Sequence, residues 1–258
     1  MSMGMNLLAL RGLTRRYAGV VAVDGVDLDL PLGGIHALIG PNGAGKTTLF
    51  DMVSGVTAPS AGRILFAGTE VTRLPAWRRA RLGMARTFQA LRLFGAMSVL
   101  ETAMVPAGGA AGWQRVLFAG RQQEVSARDA AMAALSRVGL AGQAARPADT
   151  LPYGEQRLLE IARGLAARPR LLLLDEPAAG LNPAETQRLA SLVRGIAAEG
   201  ITVLLVEHDM GFVMPLADTA TVLSFGRLLF HGAPAAARRD PRVIEAYLGH
   251  RLAARLDA

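Results

Sequence analysis

"GPNGAGKT", residues 40–47, decides the fold. It follows the apolar run "IHALI" (35–39), which reads as a strand, and opens "TLFDMVSG" (48–55), which reads as a helix closed by Gly55. The octet fits the phosphate-binding pattern G-x-x-x-x-G-K-[ST] at every position and in the strand-to-helix setting that pattern needs. Its glycines let successive backbone N–H groups turn toward a phosphate, and the helix N-terminus adds partial positive charge. Of the 28 basic side chains, one is lysine, and it is Lys46. A compact ammonium on a thin stem suits a site whose backbone already supplies the directional hydrogen bonds, whereas a planar guanidinium would crowd it. Asn42, Gly43, Ala44, Gly45, Lys46, Thr47 and Thr48 are therefore the candidate nucleotide-binding residues. Thr47 supplies a hydroxyl for Mg²⁺, and Lys46 reaches the β- and γ-phosphates of ATP.

Composition bounds the rest. The 258 residues suffice for a substantial core, 51% are hydrophobic, and there is no cysteine, so disulfides and thiolate metal sites are excluded. The N-terminal stretch has no basic start followed by an apolar core, so no signal peptide is expected. The longest apolar runs, 171–174 and 201–206, are strand-sized and fall far short of the roughly 18 residues of a membrane span. A soluble protein is expected. The net charge of +7 is scattered in short arginine clusters (15–16, 78–81, 238–239) without interleaved aromatics, so it gives no nucleic-acid signature.

Along the chain, "VDLDL" (26–30) alternates as a half-buried strand does, and "GRILFAGTEV" (62–71) reads as strand, turn at Ala67-Gly68, and return. "PAWRRARLG" (75–83) reads as a short helix and "MARTFQ" (84–89) as a strand. Residues 95–165 are Ala-rich and helical, including 121–139, with no convincing strand. From 170 onward strands and helices alternate: "RLLLLD", 183–198, "ITVLLVE", 209–217, "ATVLSF", "RLLFHG" and a closing helix over 241–256. A strand-rich start, a helical insert and then βαβ units predict an α/β fold with a mostly parallel sheet.

"RLLLLDEP" (170–177) is a buried strand ending in two carboxylates. Asp175 at its tip can hold Mg²⁺. Strand alternation would point Glu176 the other way, where it could polarise the water attacking a γ-phosphate. Just before it, "TLPYGEQRLLEIARGLAARPR" (150–170) opens a helix.

Together these motifs resemble the ATP-binding subunit of an ABC transporter over nearly all of the chain. The resemblance implies a P-loop NTPase of the ABC ATPase type with an antiparallel N-terminal β-subdomain. The core would comprise 1–94 and 166–258, and 95–165 would form an inserted helical signature subdomain. It implies that Gln89 is the Q-loop glutamine that senses Mg²⁺, that "AGLNP" (179–183) is the D-loop, and that His208 is the switch histidine on the γ-phosphate. Tyr17 would stack on adenine. The signature is Leu151 to Glu155, whose Tyr153, Gly154 and Glu155 would act in trans on ATP held by a second ATP-binding subunit. Pro152 stands where a serine is usual, which removes a hydroxyl and a capping oxygen; the two sites of a dimer are then unequal.

The variant signature, "DEPAAGLNP" and "DPRVIEAYLG" resemble one ATP-binding subunit of branched-chain amino acid importers. That implies permease subunits docked near "LRLF" (91–94), a heterodimer or homodimer of ATP-binding chains, a solute-binding protein acting indirectly, and a place on the cytoplasmic face of the membrane. The apolar 97–120 segment, with Trp113 and Phe118, could meet a membrane subunit or fold as a loop on the helical subdomain. Two other classes stay open: the ATPase of a lipid or lipopolysaccharide exporter, and a non-transport ABC ATPase on nucleic acid.

Overall fold

The computed structural model describes residues 6–87, 97–105 and 121–247. Gln89, residues 91–94, Trp113, Phe118 and the end of the closing helix lie outside the described residues. Two sheets organise the chain. The first is antiparallel, in the order β2-β1-β4-β5, from β1 (Asn6–Tyr17), β2 (Val20–Pro31), β4 (Ala61–Phe66) and β5 (Thr69–Glu70). Ala67 and Gly68, at φ 48° and 79°, turn β4 into β5 in the doubly left-handed form that suits a tight hairpin.

The second sheet runs β10-β9-β3-β8-β7-β6. Its members are β3 (Ile35–Ile39), β6 (Met84–Arg86), β7 (Leu171–Asp175), β8 (Thr202–Val206), β9 (Thr219–Ser224) and β10 (Arg227–Gly232). All its pairings are parallel except the β9–β10 hairpin. The order of β6, β7, β8 and β3 brings the C-terminal ends of distant segments side by side, which is where open α/β sheets bind ligands. Leu171 to Leu174 are fully buried, each worth roughly 1.5–3 kcal/mol relative to exposure. Helix packing on both faces explains why these strands read as unbroken apolar runs.

Helix α1 (Lys46–Ser54) follows β3, and α2 (Ala76–Arg81) precedes β6. Arg79, 1% exposed, fixes α1 from its far end. Its guanidinium donates to the carbonyls of Met52 and Val53, at 2.6 and 2.7 Å, and to those of Thr72 and Leu74, at 3.0 and 2.9 Å. A cation there satisfies helix-end carbonyls and complements the dipole, while burial lowers its pKa to about 10.

The helical region holds α3 (Val99–Met104), α4 (Arg121–Val138) and α5 (Tyr153–Ala166). Part of the 97–120 stretch is thus ordered helix rather than loop: Ser98 and Glu101 form a capping box that starts α3. Helix α6 (Pro183–Ala198) links β7 to β8, α7 (Met210–Leu216) links β8 to β9, and α8 (Pro234–Ala237) follows β10. Residues 241–247 are helical.

Candidate nucleotide site

The phosphate loop is built by close backbone approach. Gly40 (φ 150°) leaves β3, and a Cβ there would sit 2.2 Å from the carbonyl oxygen of Leu223 on β9. At Gly45, which caps α1 in the left-handed conformation, a Cβ would meet the Ala22 carbonyl oxygen at 2.3 Å. No other residue fits either position. The loop also leans on the β9–β10 turn, where the Gly226 N–H donates to the Ala44 carbonyl at 3.0 Å.

Helix α1 begins without a side-chain cap, so its first N–H groups remain available to an anion. Asn42, Gly43 and Thr47 are exposed and Thr48 is half-buried, whereas Lys46 is buried beneath the loop. Its ammonium donates to the carbonyls of Gly40 and Pro41 at 2.7 and 3.0 Å. Burial lowers the Lys46 pKa, and the negative charge of Glu176 opposes that shift. Lys46 and Glu176, 130 residues apart in the chain, therefore share one electrostatic neighbourhood.

Asp175 is buried at the tip of β7, and its Oδ2 pairs with Arg86 at 2.9 Å. The same guanidinium bonds Asp51 Oδ1 at 2.6 Å and Ser54 Oγ at 2.7 Å and lies over the Phe50 ring. Arg86 thus ties α1 to the end of β7. Burial raises the Asp175 pKa and the Arg86 pair opposes this.

Glu176 corrects the alternation argument. It lies past the end of β7 with a left-handed backbone, φ 43°, so its direction comes from a turn and not from strand pleating. Its Oε1 is 3.8 Å from Nδ1 of His208. His208 follows β8 and does not cap the next helix; Asp209 does, accepting from Gly211 N–H at 2.8 Å.

Tyr17 ends β1 exposed, with the Arg15 guanidinium 4.4 Å from its ring centroid, so one face of the ring already carries a cation. Tyr153, Gly154 and Glu155 open α5, and each makes contacts within this chain. The Tyr153 hydroxyl donates to the Ala179 carbonyl at 3.1 Å and accepts from Arg157 at 2.8 and 3.1 Å. A Cβ on Gly154 would lie 2.5 Å from Glu185 Oε1. Glu155 accepts from Gln143 at 2.9 Å. Pro152 caps α5 with no side-chain hydrogen bond.

Sequence reading missed Arg86 and Glu207. Both are charged residues at the ends of apolar strands, and that mismatch is the signal that could have found them. Among the described residues no cluster of three or more His, Cys, Asp or Glu side chains is placed to hold a metal ion. Thr47 and Asp175 are hard oxygen donors of the kind Mg²⁺ takes alongside phosphate oxygens. Among the described residues no helix is long and apolar enough to cross a membrane.

Comparison with known proteins identifies the family. The ABC transporter family model matches residues 23–179, and the model of the branched-chain amino acid ATP-binding cassette transporter matches 227–253. The high-affinity branched-chain amino acid transport ATP-binding protein LivG of Escherichia coli K12 is 43% identical over 258 residues, covering 96% of this chain and 99% of LivG. BraF of Pseudomonas aeruginosa, with the same description, is 44% identical over 253 residues, with the same coverage of both chains. An ATP-binding cassette solved in its ADP conformation superposes with a TM-score of 0.85 at 28% identity, covering 95% of this chain and 99% of that one. A nucleotide-free cassette gives 0.84 at 27% identity, covering 94% and 99%. The chain belongs to the ABC transporter family, as an ATP-binding protein whose ATPase activity drives transport.

Proposed function

We propose that this chain powers the import of branched-chain or other apolar amino acids by binding and hydrolysing ATP on the cytoplasmic face of a membrane. It would associate peripherally with permease subunits that themselves select the solute. The importer reading rests on the match over 227–253 and on relatives at 43–44% identity across nearly the whole chain. The hydrolytic reading rests on one observation: Glu176 lies 3.8 Å from His208 and within electrostatic reach of Lys46.

In this reading the backbone N–H groups of 42–48 and the Lys46 ammonium bind the β- and γ-phosphates, and Tyr17 carries the adenine. Glu176 accepts a proton from the attacking water, and His208 donates to the γ-phosphate. Thr47, Asp175 and Gln89 would hold Mg²⁺, which when bound neutralises charge developing on the phosphoryl oxygens. Residues 151–155 would complete a nucleotide site on a second ATP-binding subunit, with a heterodimer favoured, and a solute-binding protein would act through the permease. The division into a core (1–94, 166–258) and a helical signature subdomain (95–165) belongs to the same proposal.

The test is ATP-dependent uptake of labelled leucine by vesicles holding the assembled transporter. Wild-type uptake that Glu176→Gln abolishes supports the reading. Hydrolysis without uptake of leucine, isoleucine, valine or any other apolar amino acid would leave the ATPase standing and overturn the solute class.

A further inference from the structure

Glu207, 1% exposed, lies at the end of β8 between the apolar strand and His208, and none of the roles above uses it. Its carboxylate bonds the backbone of two separate segments. Oε1 accepts from the Ala178 N–H at 2.9 Å, two residues beyond Glu176. Oε2 accepts from the His208 N–H at 3.3 Å and lies 4.0 Å from the His208 ring nitrogen Nδ1. The Glu207 N–H in turn donates to Leu38 of β3 at 3.4 Å.

A buried carboxylate next to the charge of Glu176 is costly, and burial raises the Glu207 pKa while the two amide donors oppose that. The turn it holds is itself strained. Glu176 has φ 43°, which a residue with a side chain adopts only where its surroundings over-determine it. The Glu176 N–H donates to Val206 at 3.0 Å, and the Ala179 N–H closes back on the Glu176 carbonyl at 3.2 Å. The Ala178 bond to Glu207 adds a side-chain link between this turn and the residue beside His208.

We infer that Glu207 is a positioning residue for hydrolysis: by holding the Ala178 and His208 amides on one carboxylate, it sets Glu176 against His208. The inference rests on the roles proposed above for those two residues. Glutamine cannot replace it, because a carboxamide has one oxygen and would turn its NH₂ group toward one of the two N–H donors.

The experiment measures kcat and KM in the assembled transporter and binding of a fluorescent ATP analogue to the full-length chain. Because a misplacement of about 1 Å can cost about 10²-fold, Glu207→Gln is expected to lower kcat by about that factor. Analogue binding should stay within about twofold, since no contact to nucleotide is removed. The double variant Glu207→Gln/His208→Ala is expected to be no slower than His208→Ala alone, since the two act as a unit. A kcat for Glu207→Gln within about twofold of wild type, or losses that multiply in the double variant, would overturn the inference. If Glu207→Gln does not fold, Glu207→Asp, with the charge kept and the reach shortened, must show the same kcat loss. The controls separate the two readings. Full activity of Glu176→Gln sinks the assignment of Glu176, whereas an inactive Glu176→Gln beside an active Glu207→Gln sinks only the role of Glu207.

Discussion

Helices α1 and α5 both start without a side-chain cap, whereas α3 and α6 each carry a complete capping box. Helices α2 and α8 also start without a side-chain cap, so an open N-terminus alone does not mark a nucleotide-facing helix; α1 and α5 are the uncapped ends proposed to face nucleotide. The two uncapped ends differ in how they are held. Gly45 starts α1 in a left-handed conformation wedged against Ala22, while Pro152 starts α5 in extended backbone and the next residue anchors it through a hydroxyl. The phosphate-loop end is set by backbone contacts that tolerate no side chain. The α5 end is held by side chains: Tyr153 grips the 179–180 turn and Glu155 accepts from Gln143. A site that must keep its shape and one proposed to meet a partner are thus restrained by contacts of different strength.

The largest effect should come at the α1 end. Lys46→Arg places a fork where the Gly40 and Pro41 carbonyls hold a compact ammonium, and ATP hydrolysis by the assembled transporter should fall by at least about 10²-fold. Near-normal turnover would break the view that this end is prescribed by shape.

At the α5 end, Tyr153→Phe removes the donor to Ala179 and the acceptor for Arg157. A stability loss of about 0.5–1.5 kcal/mol by denaturant titration is expected, with ATP affinity retained. Turnover should fall several-fold, because the hydroxyl that anchors this end of α5 is lost while the aromatic ring stays. An effect as large as that of Lys46→Arg would erase the contrast between the two ends. Pro152→Ser tests the same end from the other side. A serine there can cap α5, worth about 1 kcal/mol in helix stability, and offers the hydroxyl that the family signature usually carries. ATP turnover should rise; an unchanged rate would count against unequal sites.

The smallest effect is a pH dependence away from both ends. His36 accepts at Nδ1 from Thr219 at 2.6 Å and donates from Nε2 to the Gly33 carbonyl at 3.0 Å, and burial lowers its pKa below 6.5. His231 is lowered by burial as well. Below pH 6.5 the unfolded chain takes up protons that the folded chain refuses, so stability should fall as pH drops through that value. His36→Gln should flatten the fall, as read from Tm between pH 7.5 and 5.5, values chosen to bracket roughly one unit on each side of the ordinary histidine pKa. An identical slope would exclude His36 as its source.

Much of this was legible in the residues. The octet at 40–47 announced a phosphate loop because glycine spacing and the lone lysine are local requirements. The β4–β5 turn at Ala67-Gly68 was readable for the same reason, through turn chemistry, and the helix expected over 183–198 is α6. Glu176 was aimed by the wrong argument. Alternation holds only inside a strand, and the strand stops at Asp175. Tyr153 was read as a group for a partner's nucleotide, with nothing local to reveal its bond to Ala179, 26 residues away.

The sequence alone determined the class of ligand and the order of strands and helices, since each depends on neighbours within a few positions. Only the tertiary structure decided how the charged side chains meet. Arg86 joins Asp51 to Asp175, Arg79 closes α1 from a different helix, and Glu207 links the Ala178 turn to His208. The Arg86 and Glu207 pairings follow from the order of parallel strands in the second sheet, which sets distant C-terminal ends side by side, and spacing along the chain does not encode that order.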